Sequence, residues 1–248
     1  MLVLLPPSEG KAPGGRGRAL DLATLSHPSL TAVRERLVDA LEAAARTDPA
    51  GLERALGCPA GEVAKDAVLR TSRTLPASQR YTGVVYEALS YATLSPAGRR
   101  RANASLRVAS ALFGLLTPTD RIPAYRLSGG TSLPGVGSLA AAWRPVLEPE
   151  LAGARLVVDL RSGPYAALAR VPGAVQVRVL RETGGVRAVV SHDNKHVKGL
   201  LARELCERGA RTVADVAAAA AVLADGVEVD GRSVDLVLHG LATDRSRA

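Results

Sequence analysis

The stretch Ser132-Leu-Pro-Gly135-Val-Gly137-Ser138-Leu-Ala-Ala-Ala-Trp143 sets two glycines one residue apart, after a proline and just before a helical run. Glycine lacks a side chain and tolerates positive φ, so the stretch reads as an exposed backbone hairpin leading into a helix. A phosphate oxygen can approach the bare amides of such a turn, and the helix start adds partial positive charge. Gly135, Gly137 and Ser138 are therefore candidate phosphate ligands. No acidic residue lies between Arg121 and Leu147, whereas Arg121, Arg126 and Arg144 do, so an approaching polyanion meets no like charge there. Turns of this composition also precede helices that bind nothing, so the hairpin alone does not fix a function.

The 248 residues suffice for one large domain or two small ones, and 47% hydrophobic with 23% charged residues is ordinary globular composition. Only 3% are aromatic, so the core must rest on Ala, Val and Leu, and the single Trp143 and Phe113 make no base-stacking platform. The net charge of +8 is unevenly spread. Residues 1–98 carry 11 basic and 10 acidic groups, residues 99–208 carry 17 and 8, and residues 209–248 carry 4 and 6. The excess sits in the central block with the hairpin, which suits a polyanionic or phosphorylated partner, although scattered surface arginines give the same count. Cys58 and Cys206 have no metal-ligand or redox spacing and read as reduced, structural thiols of a cytoplasmic protein. The apolar run Met1–Leu5 has no basic leader and stops at Pro6, so it is neither signal peptide nor membrane span.

Val3–Leu5 reads as a buried strand ended by Pro6-Pro7. Ser8, Glu9 and Lys11 then place a hydroxyl, a carboxylate and an ammonium at the strand terminus, where they can bind a polar ligand or serve as acid, base or nucleophile. An ordinary turn explains them equally well. Amphipathic spacing predicts a helix over Thr31–Arg46, a second from Asp48-Pro49 to Gly57 and a third over Gly61–Arg70, a stretch with no evident chemistry. Tyr81-Thr82-Gly83 opens a helix to about Tyr91, Ser95-Pro96 caps another, and Leu106–Leu112 reads as a strand, although its alanines also permit a helix. Tyr125 and Arg126 set a phenol beside a guanidinium, a pair suited to a phosphate or nucleobase. After the hairpin, a helix over Ser138–Trp143 is expected to break at Pro145.

Arg155–Leu160 reads as a strand that ends in polar Ser162 and Tyr165. A hairpin of Val175–Arg181 and Val186–Ser191 runs out into His192-Asp193-Asn194-Lys195-His196-Val197-Lys198, from which a helix continues to Arg208. Lys195 and Lys198 share one helix face and can hold an anion or supply an amine of lowered pKa. His192, His196 and Asp193 lack a second ligand set, so no metal and no cofactor are expected. A helix over Val213–Leu223, two strands near Val227–Val229 and Val234–His239, and a loose polar tail at Thr243–Ala248 complete the chain.

Taken together, Pro6-Pro-Ser-Glu-Gly-Lys11, Tyr81-Thr-Gly83, Leu112-Phe-Gly-Leu-Leu-x-Pro-x-Asp120, Pro123-Ala-Tyr-Arg-Leu127, Trp143, Asp159-Leu-x-Ser162-x-x-Tyr165 and Lys195-x-x-Lys198-Gly-Leu200 resemble the YaaA family of peroxide-stress proteins in order and spacing. The resemblance implies an α/β (mixed α+β) fold, one compact domain around a mixed sheet over residues 1–248. It also implies a helix-hairpin-helix-like element at about 121–144, binding to DNA with little sequence preference, and protection against hydrogen peroxide by limiting free iron. Carried over, it makes Ser8, Glu9, Lys11, Tyr81, Arg126, Ser162, Lys195 and Lys198 candidates for lining one cleft. Thr82, Tyr125 and Tyr165, beside them in the same motifs, join that group. Glu9 stands about where other members carry a lysine in Ser-Pro-Ala-Lys, with Lys11 two positions on, and Ser128-Gly-Gly-Thr131 would disrupt the first helix of the hairpin module.

Two functions follow. One is a DNA-binding protein that holds the backbone through Gly135, Gly137, Ser138, Arg121, Arg126, Arg144 and Lys198. The other is an enzyme acting on a nucleotide or damaged base, with Lys11 or Lys195 as amine nucleophile and Glu9 as acid or base. Direct iron binding is disfavoured, since four histidines and two cysteines are few and badly spaced.

Overall fold

The computed structural model describes residues 1–189 and 191–239. The tail expected at Thr243–Ala248 lies outside them. The chain opens with β1 (Leu2–Leu5) and passes through α1 (Thr31–Thr47), α2 (Pro49–Leu56), β2 (Leu75–Pro76), α3 (Ala77–Arg80), α4 (Val84–Leu89) and α5 (Pro96–Ser105). It returns as β3 (Leu106–Ser110) and β4 (Gly114–Leu116), followed by the two-residue strands β5 (Arg121–Ile122), β6 (Ser132–Leu133) and β7 (Gly137–Ser138) and by α6 (Leu139–Ala152). Next come β8 (Val157–Asp159), α7 (Gly163–Ala166), β9 (Val175–Thr183), β10 (Val186–Val189), α8 (Ser191–Arg208), α9 (Val213–Ala220), β11 (Gly226–Asp230) and β12 (Ser233–His239).

Eight of the strands form one sheet in the order β11-β12-β9-β8-β1-β3-β4, with β10 paired to the far end of β9. The run β12-β9-β8-β1-β3 is parallel, and β4, β10 and β11 are antiparallel additions. The mixed α/β reading therefore holds. β1 is apolar throughout because both faces are covered. Leu4 and Val157 face a core with Leu37, Leu41, Trp143 and Leu147 from α1 and α6. Val3, Leu5 and Val158 face a second core with Leu201, Leu205 and Val216 from α8 and α9. Trp143 is wholly buried and donates from Nε1 to Ala111 O at 2.7 Å, so it serves packing.

Local chemistry accounts for several boundaries. Asp48 caps α2 through Gly51 N–H at 2.8 Å, and Ser95 caps α5 through Gly98 N–H at 2.9 Å. Three expectations change. The segment expected as a helix over Gly61–Arg70 is a 3₁₀ turn at Ala64–Val68. α6 runs on through Pro145 and Pro149 to Ala152, because the carbonyls those prolines cannot bond, of Ala141 and Pro145, belong to exposed residues that water can satisfy. α8 begins at Ser191, so the polar cluster forms its first turns and is not a strand run-out. Residues 123–131, ahead of the β6–β7 hairpin, contain no helix. Among the described residues no helix is long and apolar enough to cross a membrane.

Two buried arginines act as internal clamps. Arg34 donates to the carbonyls of Ser26, His27, Phe113 and Leu115. Arg80 donates to Ala12, Gly14, Arg73 and Ile122, which ties the glycine-rich loop after β1 to the body and fixes where Lys11 stands.

A candidate ligand cleft where β1 and β8 end

β1 and β8 are parallel neighbours, and the chain that leaves each of them returns to the sheet on opposite sides, at β3 and at β9. Divergence of this kind opens a crevice beyond the carboxyl ends of the strands. A cleft of about 600 Å³ lies there. The turn after β1 contributes Ser8 and Glu9, the segment after β8 contributes Ser162 and Tyr165, Thr82 comes from the start of α4, and Lys195 and Lys198 come from α8. These sequence-predicted residues, far apart in the chain, thus share one site. Tyr86 and Asn194 line it as well and were not anticipated.

Glycines allow the walls to close in. At Gly83, φ is 94° and a Cβ would lie 3.2 Å from Ser8 Oγ, so the hydroxyl packs directly against main chain. A Cβ on Gly199 would strike the carbonyl of Val85, so this glycine lets α8 lie against α4 and brings both lysines to the rim. Tyr86 O–H donates to Pro6 O at 2.7 Å and fastens the turn after β1. Burial holds its phenol well above the ordinary tyrosine range, so it stays neutral.

Lys198 is half-buried, and that burial lowers its pKa while the nearby Asp159 carboxylate opposes the shift. Asp159 is itself held by Arg161 through bonds of 2.9 and 2.8 Å. Lys195 and His196 are exposed. The side chains of His192 and Asp193 lie outside those described, and among the described residues no group of three or more His, Cys, Asp or Glu is placed to hold a metal.

Behind the turn after β1 lies a buried polar layer. Lys11 Nζ donates to Ser8 O at 2.9 Å and sits 4.1 Å from the centre of the Tyr125 ring. Burial, then the positive charges of Arg126 and Lys65, lower its pKa to about 7. Tyr81 O–H and Tyr125 O–H meet at 2.9 Å, and Tyr125 meets Ser110 Oγ at 2.8 Å. Arg126 reaches forward to Glu9 Oε2 at 3.0 Å, and its amide donates to Asp66 Oδ1 at 2.8 Å. Asp66 is wholly buried, its Oδ2 has no partner, and burial raises its carboxyl to about 7. A stretch that reads as chemically silent therefore carries a functional candidate. The available signal was Asp66 standing midway between Val63 and Leu69, at the three-residue period of a 3₁₀ turn, where all three are wholly buried.

The remaining candidates scatter. Gly135 and Gly137 have φ of 74° and 81°, both are exposed, and a Cβ on either would meet nothing. Ser138 is exposed too, and its hydroxyl does not cap α6. The hairpin leans on α1 and α2, beside Asp48. Its expected arginines stand elsewhere: Arg126 on Glu9, Arg121 against Gly17, and Arg144 on Ala167 O at 3.1 Å and facing Glu148 at 3.7 Å.

A family profile described as peroxide stress protein YaaA matches residues 1–223. A UPF0246 protein of Corynebacterium efficiens is 46% identical over 250 residues, covering 96% of this chain and 99% of that protein. One from Streptomyces coelicolor is 48% identical over 220 residues, 84% of each chain. One from a Ruegeria species is 36% identical over 143 residues, covering 52% of this chain and 57% of its own.

Proposed function

The chain belongs to the peroxide stress protein YaaA family, and from that premise we propose that it acts in the response to hydrogen peroxide by holding a nucleotide unit, as part of DNA and with little sequence preference, in the cleft beyond β1 and β8. The observation that carries this reading is the convergence of two lysines, three aliphatic hydroxyls and the rings of Tyr86 and Tyr165 on a concavity sized for one nucleotide. Lys195 and Lys198 supply charge to a phosphate. Ser8, Thr82 and Ser162 supply hydrogen bonds that do not distinguish one base from another. Calorimetric titration with deoxynucleoside monophosphates and a short single strand tests it. Saturable binding that weakens at least tenfold in Lys198→Met is expected, and no heat with either ligand sinks the reading.

A second reading is catalytic, and it rests on Lys11. An amine lowered to about 7 is substantially unprotonated at neutral pH and can attack a carbonyl or sugar carbon, with Glu9, bonded to Arg126, as the nearby acid or base. Borohydride trapping on abasic DNA tests it: a covalent adduct lost in Lys11→Met supports the enzyme, and absence of any adduct removes it.

A further inference from the structure

Three grooves follow one another along the amino edge of the sheet, opposite the cleft. The first lies where β8, β9 and β12 begin and is lined by Arg144, Arg155, Arg170 and Arg232. The second shares Ala154 and Arg155 with it, runs under the start of β1 and adds Arg107. The third shares Met1 with the second and adds Arg101, Arg208 and Arg211. Four arginines, then one more, then three make eight along a continuous belt, and no lysine lines it.

Three carboxylates, Glu148, Glu150 and Asp215, stand against the eight guanidinium groups of the belt, and each accepts hydrogen bonds from its own surroundings. Glu148 accepts Arg170 N–H at 3.0 Å, Glu150 accepts from Ser29 and meets His27 Nδ1 at 2.7 Å, and Asp215 accepts the amides of Arg211 and Thr212 at 2.7 and 3.0 Å. Three of the guanidinium groups that are fixed are fixed by neutral carbonyls: Arg101 on Cys206 O, Arg107 on Leu106 O and Arg232 on Gly173 O, while Arg144, on Ala167 O, also faces Glu148 at 3.7 Å. A carbonyl orients the fork and leaves its charge uncompensated. Arg155, Arg170 and Arg211 are exposed, and their guanidinium groups have no acceptor among the described residues. Arg208 is paired, with Glu204.

We propose that this arginine belt on the amino edge of the sheet is a docking surface for the phosphodiester backbone of a nucleic acid, separate from both the cleft and the glycine hairpin. Planar guanidinium forks match phosphate oxygens two at a time, which suits this partner better than point-charge ammonium groups would. The large exposed apolar residues, Val68, Val186, Val222 and Val229, all lie off the belt, so nothing on it would enter a lipid layer. Five parallel strands about 4.8 Å apart give the belt a length of roughly 20 Å. That is on the order of six base pairs of duplex. Six of the basic residues of the central block, Arg101, Arg107, Arg144, Arg155, Arg170 and Arg208, stand on this edge.

The proposal rests on the nucleic-acid part of the reading above and not on the cleft. It is tested with a fluorescent duplex of about 20 base pairs, titrated by anisotropy between about 50 and 200 mM salt, against the whole protein and the triple variant Arg155→Ala/Arg170→Ala/Arg211→Ala. More than tenfold weaker binding and a salt slope shallower by about three are expected, since each lost phosphate contact removes about 0.9 from the slope. Unchanged affinity and slope overturn it, and so does tighter binding to phosphatidylglycerol vesicles than to the duplex. Mononucleotide titration of the same variant should be unaltered, so failure of the belt and failure of the cleft are told apart. Should the variant misfold, phenylglyoxal labelling of the wild-type protein decides: duplex must protect Arg155, Arg170 and Arg211, and equal labelling with and without duplex refutes the surface.

Discussion

The glycine hairpin at Ser132–Ser138 and the cleft beyond β1 and β8 are both polar turns at the surface, but they are made differently. The hairpin is local: seven consecutive residues, two left-handed glycines, bare main chain, and no burial of charge. The cleft draws on four separated segments and is backed by a layer in which Lys11, Asp66 and the tyrosine hydroxyls are buried at a cost in stability. A turn motif specifies a conformation, whereas a site that grips a ligand needs groups from several elements aimed at one volume. The unsatisfied Oδ2 of Asp66 marks where this protein departs from an optimally stable arrangement, and it does so behind the cleft, not at the hairpin.

The sharpest way to break that contrast is to titrate the buried layer. Asp66 binds its proton more tightly when folded, so the stability of the protonated form is fully present below the ordinary carboxylate range and is lost as pH rises toward about 7. Lys11, lowered to about 7, acts oppositely: above that pH the folded protein gives up the proton readily, and stability recovers toward the ordinary lysine range. Urea denaturation should therefore find a minimum near neutral pH. Asp66→Asn should remove the acid-side decline, about 4 kcal/mol at most for a displacement of about three pH units. Parallel pH profiles for the two proteins would show that the layer carries no such cost.

Next in size is Gly199→Leu, which forces α8 away from Val85 and spreads the wall of the cleft. Overpacking of this kind costs about 3 kcal/mol, and ligand affinity should fall with stability. Retained stability would mean that the two helices part without consequence. A smaller effect is expected from pH on ligand capture. Because burial lowers the Lys198 pKa, nucleotide affinity should weaken as pH is raised from neutral toward 9, and Lys198→Met should abolish that dependence. A flat wild-type profile would assign the charge to Lys195. The smallest effect is at the hairpin. Valine at Gly135 and Gly137 places two branched side chains at positive φ, about 1–2 kcal/mol of strain each, and should weaken DNA binding severalfold if the bare amides hold a phosphate. Identical titration curves would leave the hairpin a turn and nothing more.

Legibility followed the range of the forces involved. The strand Val3–Leu5 stopped by Pro6-Pro7, the caps at Asp48 and Ser95, and the glycine turn were readable because each depends on neighbours within four residues. The polar strand ends were readable too, as groups without a destination. Two local readings failed for reasons that lie off the chain axis. Pro145 did not end α6, since the carbonyl it frees, of Ala141, belongs to an exposed residue open to solvent. Asp66 lies in the stretch Gly61–Arg70, read as a helix without evident chemistry, and it is the packing around it that buries the carboxyl.

By itself, the sequence determined an α/β chain, its family, a central surplus of arginine, and which strand termini carry reactive groups. Only the tertiary structure decided that Ser8, Thr82, Ser162, Tyr165, Lys195 and Lys198 share one cavity, that burial shifts Lys11 and Asp66 toward neutral pH behind it, and that eight arginines line the amino edge away from the hairpin. Backbone preference acts over a few residues and is written in the order of side chains. Convergence and desolvation depend on which strands lie side by side, and the β8-β1-β3 order of the sheet sets that across more than a hundred intervening residues.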